Sequence, residues 1–416
     1  MIKSIILAMD SLLREELPKI VSIGAFGKNI KYVSFDLDKD HVGQDHYMST
    51  VLFGTLTTSD ESKYHVVIKL KLRDEKLRVQ FKIDIQFQNE ITMYDRVIPF
   101  LFECHRSMEA EVGDCPTLAR FFFGRNKCGE FAEKDLIVLE NVTPSGFRLS
   151  DARPFLDFNH IVIAFQAVAK FHGLSYTAKY KDPDRLQEFV KDLHDIQFDE
   201  EGKWIMNNNA LSRFGKRGID QLLERSGDLY RDNEQLRKFN VIIGDGNKWL
   251  RHARVPREPF SVVCHGDFNR NNMLFRYDGE GLPVDVLLFD FGTPRYGSPA
   301  LDLSFFLYMN TTQSLRESRW DDLLNVYCLA LADAVPPGVR VPNRAELDFE
   351  MAKCAYYGFA HASFFLNHQL ERNFIDNVDM DDEETLEWFL QLGGGKGSDI
   401  VADMVQHIVD MEYMNL

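Results

Sequence analysis

The chain has 416 residues, 45% of them hydrophobic and 27% charged, a balance that supports a buried core and excludes a disordered or fibrous polymer. Its 48 lysines and arginines face 64 acids, for a formal charge of −16, so a basic face gripping nucleic acid is not expected. Six cysteines without a C-x-x-C pair read as reduced thiols rather than a disulfide frame or a zinc site.

The opening MIKSIILAMDSLLREEL has too short an apolar stretch for a signal peptide and no small-residue cleavage site. No later run approaches the ~18 apolar residues of a membrane span. A soluble, cytoplasmic protein is expected, and the sequons at Asn141 and Asn310 are then chance matches.

The first third reads as strands: KYVSFDL (31–37), STVLFGTLT (49–57) and KYHVVIKLKL (63–72), spaced as hairpins of a small antiparallel sheet. Apolar residues recurring at three and four predict a helix over 78–101. Leu118–Phe123 and LIVLEN (136–141) read as two further strands. Past Thr143-Pro144-Ser145-Gly146 helical patterns take over, with Ser150 or Asp151 as the expected cap of a helix running through 160–174. They are broken by FSVVCHGD with NNMLF (260–275) and by VDVLLFDF (284–291), with a turn signal between them at Tyr277–Gly281. PPGVRVPN (336–343) reads as a connector between helices. The order is a mostly β part, 1–142, followed by a mostly α part, 143–416, that holds a β-hairpin.

The chemistry concentrates in Val263–Phe275, where His265-Gly266-Asp267 and Asn272 lie in polar sequence between apolar strands. A carboxylate and a carboxamide five positions apart suit a loop presenting a general base and a metal ligand. Eighteen residues after Asn272, LLFDFG puts Asp290 at the end of a second apolar strand. A carboxylate there is unfavourable unless solvated, paired or bound to a cation. Phosphoryl transfer uses such parts: an Asp for the acceptor's proton, an Asn and an Asp for Mg²⁺, and a Lys on the ATP phosphates.

H-G-D-x4-N followed by a downstream D-F-G resembles the aminoglycoside phosphotransferase and choline kinase superfamily. FQNEITMYDRVIPFL, VLENVTPSGFRL and PVDVLLFDFGTPRYGSPALDLSFFL resemble the insect ecdysteroid-kinase-like family more closely, over about 40–370. The resemblance implies an α+β, bilobal protein-kinase-like fold, with a small antiparallel-sheet N-lobe and a larger, mostly helical C-lobe. It implies ATP and Mg²⁺ as cofactors and a small hydroxylated molecule as acceptor, an ecdysteroid or a detoxification substrate. Asp267 would be the catalytic base, Asn272 and Asp290 the metal ligands, and Asp302 a support of the catalytic loop. Lys69 would contact the ATP phosphates with Glu90 as its partner. Gly43, Tyr47 and Ser49 would cover the nucleotide, and Glu140 would sit in the hinge. The chain departs from the family pattern at Asn269, where an aromatic residue is common, at Asn141, where Asp is usual, and at Gly292, where Gln is frequent.

Alternation places Lys69 and Lys71 on one strand face, and spacing alone does not choose between them. Gly393–Ser398 fails the P-loop pattern and reads as a helix stop followed by a turn. The acidic cluster Asp376–Glu384 reads as a solvated face, and His172 as a structural histidine at a helix end. Two rival functions keep the fold: a choline- or aminoglycoside-type kinase with a polar acceptor, and a catalytically silent binding protein. No nucleic-acid, membrane or obligate protein partner is expected.

Overall fold

A computed structural model describes residues 2–42, 49–108, 113–127, 132–198, 208–370 and 382–414. The first element is helix α1 (Ile2–Ser22), which the sequence analysis did not predict. Leu13, Leu17 and Ile20, at helical spacing, are at most 1% exposed and pack on a five-stranded antiparallel sheet. Burial of each such side chain contributes roughly 1.5–3 kcal/mol, which is what holds α1 to the sheet.

That sheet contains β1 (Tyr32–Val42), β2 (Ser49–Thr58), β3 (Lys63–Lys71), β5 (Phe121–Arg125) and β6 (Leu136–Glu140), in the order β1-β2-β3-β6-β5. Strand alternation sorts its two faces. Val66, Ile68 and Leu70 point into the cluster beneath α1, while Lys69 and Lys71 point to the opposite face. The helix expected over 78–101 is broken into α2 (Glu75–Gln80), α3 (Ile83–Thr92), a π-helical turn (Met93–Val97) and α4 (Ile98–Arg106). Lys82, in the left-handed region with φ 50°, separates α2 from α3. The widened turn lies just before Pro99, whose ring cannot donate to the preceding turn.

The stretch expected as one strand over 118–123 is two. β4 (Thr117–Leu118) leaves the first sheet and pairs parallel with β10 (Pro283–Leu288), while β5 stays. The expected hairpin, β9 (Met273–Tyr277) and β10, is therefore the centre of a four-stranded sheet β4-β10-β9-β7, with β7 at Phe147–Arg148. β8 (Val262–Cys264) pairs with β11 (Arg295–Gly297).

Helices build the rest of the C-lobe. α5 (Phe158–Lys181) is capped by Asp157, which accepts from the His160 amide at 3.1 Å, and not by Ser150 or Asp151. The Ser150 hydroxyl instead accepts from the Ala152 amide. After α5 come α6 (Pro183–Lys191), α7 (Asn208–Tyr230), α8 (Glu234–Gly244) and α9 (Gly246–Ala253). After β11 come α10 (Ala300–Asn310), α11 (Gln313–Asp333), α12 (Arg344–Leu370), α13 (Asp382–Gln391) and α14 (Gly394–Asp410). All of α10 is buried, and the connector 336–343 runs between α11 and α12 as expected. The architecture is the α+β, two-lobed one anticipated from the sequence.

The glycine-rich stretch stops a helix only at Gly393; Gly394–Ser398 is the first turn of α14. Of the acidic cluster, 376–381 lie outside the described residues, and Asp382–Glu384 begin α13. His172 does not end a helix: it lies inside α5 with no exposed surface. Among the described residues, no helix is long and apolar enough to cross a membrane.

Candidate active site

The H-G-D stretch leaves β8 as a loop whose path is set by Gly266, with φ 85°. A Cβ there would meet the Thr293 carbonyl oxygen at 1.8 Å, so only glycine allows the loop to lie against the segment that follows Asp290. Asp302, in the first turn of α10, accepts from the amides of His265 at 2.7 Å and Gly266 at 2.9 Å. It also bonds His172 Nε2 at 3.1 Å, whose Nδ1 meets Tyr327 Oη at 2.9 Å. Burial opposes the Asp302 charge, yet His172 and the loop amide outweigh it and hold the carboxyl below its ordinary range. His172, Cys264 and Asp302 converge within 4.8 Å. Both His172 imidazole nitrogens are engaged, by Asp302 and by Tyr327, so His172 and Asp302 brace the loop.

Asp267 is gripped on both oxygens. Asn269 Nδ2 donates to Oδ1 at 2.7 Å and Asn272 Nδ2 donates to Oδ2 at 2.7 Å. Burial, then the nearby Asp290 charge, push its carboxyl above the usual aspartate range. The Asn272 amide is oriented by its two acceptors, the Asp267 carboxylate and the Asp267 carbonyl at 2.9 Å, because only its NH₂ can donate. Its Oδ1 therefore faces away from Asp267. Asn269 acts as an orienting donor to Asp267. The residue type alone carried no signal of that.

Asp290 lies two residues beyond β10 with φ 68°. There Lys69 Nζ meets Asp290 Oδ1 at 3.0 Å and Glu90 at 2.7 and 3.0 Å. Three distant stretches, β3, α3 and the turn after β10, thus meet at one ammonium group. The Lys69 side chain is 7% exposed and that of Glu90 4%. Burial disfavours the Lys69 charge, but two carboxylates overcome it and hold the amine protonated. Burial and Asp290 push the Glu90 carboxyl up against the pull of Lys69.

The same contacts separate the two lysines that spacing left equivalent. Lys71 bonds Asp84 and Asp135, each at 2.7 Å, and Asn126 Oδ1; it ties β3 to the start of α3 and to the segment entering β6. Lys69→Met is expected to remove most of any stabilisation gained on adding Mg·ATP. Lys71→Met should keep that stabilisation but lower unfolding free energy by about 2 kcal/mol. Thermal melts with and without Mg·ATP check both, and equal behaviour of the two variants would refute the distinction.

Ser49 begins β2 directly opposite Lys71 and shares the lysine face. Glu140 ends β6, and its carboxylate accepts from the Arg120 amide at 3.2 Å. Gly43 and Tyr47 lie outside the described residues. Asn89 was not foreseen. Its side chain donates to the carbonyls of His194 at 2.8 Å and Gly292 at 3.1 Å, and accepts from the His194 amide at 2.9 Å. It thereby fixes α3, and Glu90 with it, to the C-lobe. The available signal was a polar Asn-Glu pair within an otherwise amphipathic helix.

Asn272 Oδ1 and the Asp290 carboxylate are hard oxygen donors, flanked by Asp267 and the Lys69 ammonium. That donor set fits Mg²⁺, which takes one or two carboxylates and completes its shell with water and phosphate oxygens.

The model of the ecdysteroid kinase-like family matches residues 43–336. No curated protein matches the chain. Among solved structures, the chain is similar to APH(2″)-IIa in a ternary complex with streptomycin and ATP, at 12% identity and a TM-score of 0.36, over 92% of this chain and 97% of that one. It is also similar to the amicoumacin kinase hAmiN in complex with AMP-PNP and Ca²⁺, at 14% identity and a TM-score of 0.41, over 86% and 88%. A third is the macrolide 2′-phosphotransferase MphH from Brachybacterium faecium, at 13% identity and a TM-score of 0.35, over 84% and 91%. With most of its length matched by the family model, the chain belongs to the ecdysteroid kinase-like family.

Proposed function

We propose that this family member transfers the γ-phosphoryl group of ATP to a hydroxyl of a small lipophilic molecule, an ecdysteroid or a comparable hydroxylated compound, in the cytoplasm. The observation that carries the reading is the convergence of Lys69, Glu90 and Asp290 beside an Asp267 held by two amides. A binding module has no need of that arrangement.

Lys69 would hold the phosphates by charge, with Glu90 fixing its direction. Asn269 and Asn272 would aim Asp267 at the acceptor, and the carboxylate would take the hydroxyl proton as the oxygen attacks the γ-phosphorus and the bond to ADP breaks. Asn272 and Asp290 would hold Mg²⁺, which when bound supplies the positive charge that offsets the phosphates. In a chain of formal charge −16, that local charge matters more than any long-range field.

The test is ATP consumption with Mg²⁺ across ecdysteroids, other hydroxylated lipids, choline and aminoglycosides. Turnover confined to the lipophilic alcohols is expected. Turnover confined to choline or aminoglycosides would replace the acceptor class. Failure of Mg·ATP both to turn over and to raise the melting temperature would sink the phosphotransferase reading.

A further inference from the structure

A cavity of about 480 Å³ lies beneath the segment that follows Asp290, a volume suited to a compact organic molecule. Thr293–Tyr296 form one wall. This is the segment whose Thr293 carbonyl abuts Gly266 beside Asp267, and whose Arg295 pairs with Cys264 across β11 and β8. Val190, Leu193 and Ile196 give the cavity apolar walls.

Its charged groups are unequally satisfied. Arg254 is paired with Asp195. Glu258 is engaged by Lys179 at 3.1 Å and by the Tyr296 hydroxyl. His194, also in the lining, has its backbone bonded to Asn89. Arg295 differs: it is 9% exposed, and among the described residues its hydrogen bonds all end on neutral oxygens. These are Gln197 Oε1 at 2.7 Å and the Thr293 carbonyl at 3.5 Å. Gln197 cannot offer more, because its amide nitrogen already faces His361 and Tyr357. Arg295 Nε and Thr293 Oγ1 are buried with no hydrogen-bond partner. Asp195, bonded to Arg254, also acts on Arg295 through its charge, and Arg295 Cζ lies 5.3 Å from the centre of the Tyr357 ring, so one carboxylate serves two guanidinium groups. In a cavity wall, that deficit is what an anionic ligand relieves.

We propose that this cavity receives the acceptor, and that the acceptor is a hydroxylated lipophile bearing an acidic group, a carboxylate or sulfate, that pairs with Arg295. Its apolar body lies against Val190, Leu193 and Ile196, and its hydroxyl is directed past Thr293 toward Asp267. This rests on the phosphotransferase reading above, and it narrows that reading's hydroxylated lipophile to one carrying an acidic group.

The experiment compares matched pairs: cholate and 12-hydroxystearate, each beside its methyl ester, which keeps the shape and removes the charge. Binding to the full chain is measured by calorimetry, and Mg·ATP binding is measured separately. The wild type is expected to favour acid over ester by about tenfold or more. Arg295→Gln should bring the two within about twofold, with Mg·ATP affinity unchanged. Val190→Trp, which fills the cavity from its rim with Arg295 in place, should abolish binding of the acids, so the proposal stays testable even if Arg295→Gln does not fold. Equal or absent binding of acid and ester, a preference that survives Arg295→Gln, or acid binding that survives Val190→Trp would each overturn the proposal. Loss of Mg·ATP binding in the wild type would instead overturn the phosphotransferase reading, and the acceptor assignment with it.

Discussion

Asp267→Asn is expected to lower turnover by about two to four orders of magnitude, the range that a positioned general base contributes. Binding of Mg·ATP should stay near that of the wild type. Asparagine keeps the size of the side chain and can still accept from one neighbouring amide, but it cannot take a proton. It also turns an NH₂ toward either Asn269 or Asn272, both of which donate to Asp267, so the loop acquires a donor facing a donor. The defect should therefore fall on kcat rather than on the KM for ATP, the pattern of an interaction made only as the transition state forms. Steady-state kinetics on an acceptor that turns over would decide it. A variant that keeps a tenth or more of wild-type kcat would remove Asp267 from the proposed role.

Asp302→Asn should have the largest effect on stability, about 3–5 kcal/mol, because the three groups that bond this buried carboxylate lose or clash with their acceptor together. The carboxylate accepts from two loop amides and bonds His172, with only 2% of its surface exposed. An amide in its place must point an NH₂ at one of those donors. The pH dependence has a definite sign. The folded-state pKa of Asp302 is depressed, so its contribution is complete above the unfolded value of about 3.9 and is lost as pH falls through the lower, folded one. The gap between wild type and variant in urea denaturation should thus be constant at neutral pH and shrink only below about pH 4. A gap under about 1 kcal/mol at neutral pH would show that the loop amides find other partners.

What could be read from the residues follows the range of the interactions. Strand alternation in VVIKLKL predicted the shared face of Lys69 and Lys71, because a period of two is local. Which lysine meets Asp290, 221 positions away in sequence for Lys69, depends on how α3 and β10 pack, and only the resemblance favoured Lys69. Asp302 was readable as a support in the same way, whereas its partner His172, in the middle of a buried helix, was not. The single helix expected at 78–101 failed because apolar periodicity survives both a left-handed Lys82 and a π-helical turn. The cap of α5 was misplaced because Ser150, Asp151 and Asp157 are equally good caps by residue type; the β7 strand and the turn after it set which one meets the helix. Helix α1 had a legible pattern in Leu13, Leu17 and Ile20, but its opening residues were weighed only as a targeting signal. The contacts of Arg295 could not be read, since they depend on the Gln197 side chain, 98 positions away, and on the Thr293 carbonyl together.

The three hydrogen bonds of Asn89 bear on how the protein can be governed. In kinase-like folds, activity can be switched by swinging the glutamate-bearing helix away from its lysine. Here that swing would strand the buried Asn89 amide and the buried Gly292 carbonyl, while the exposed His194 would turn its groups to water. At roughly 1–3 kcal/mol for each unsatisfied group, the displaced arrangement is disfavoured by about 2 kcal/mol or more, leaving it at about a few parts in a hundred of the population or fewer. The bonds of Asn89 thus hold α3, and Glu90 with it, where Glu90 meets Lys69, and a switch that swings this helix would first have to break all three.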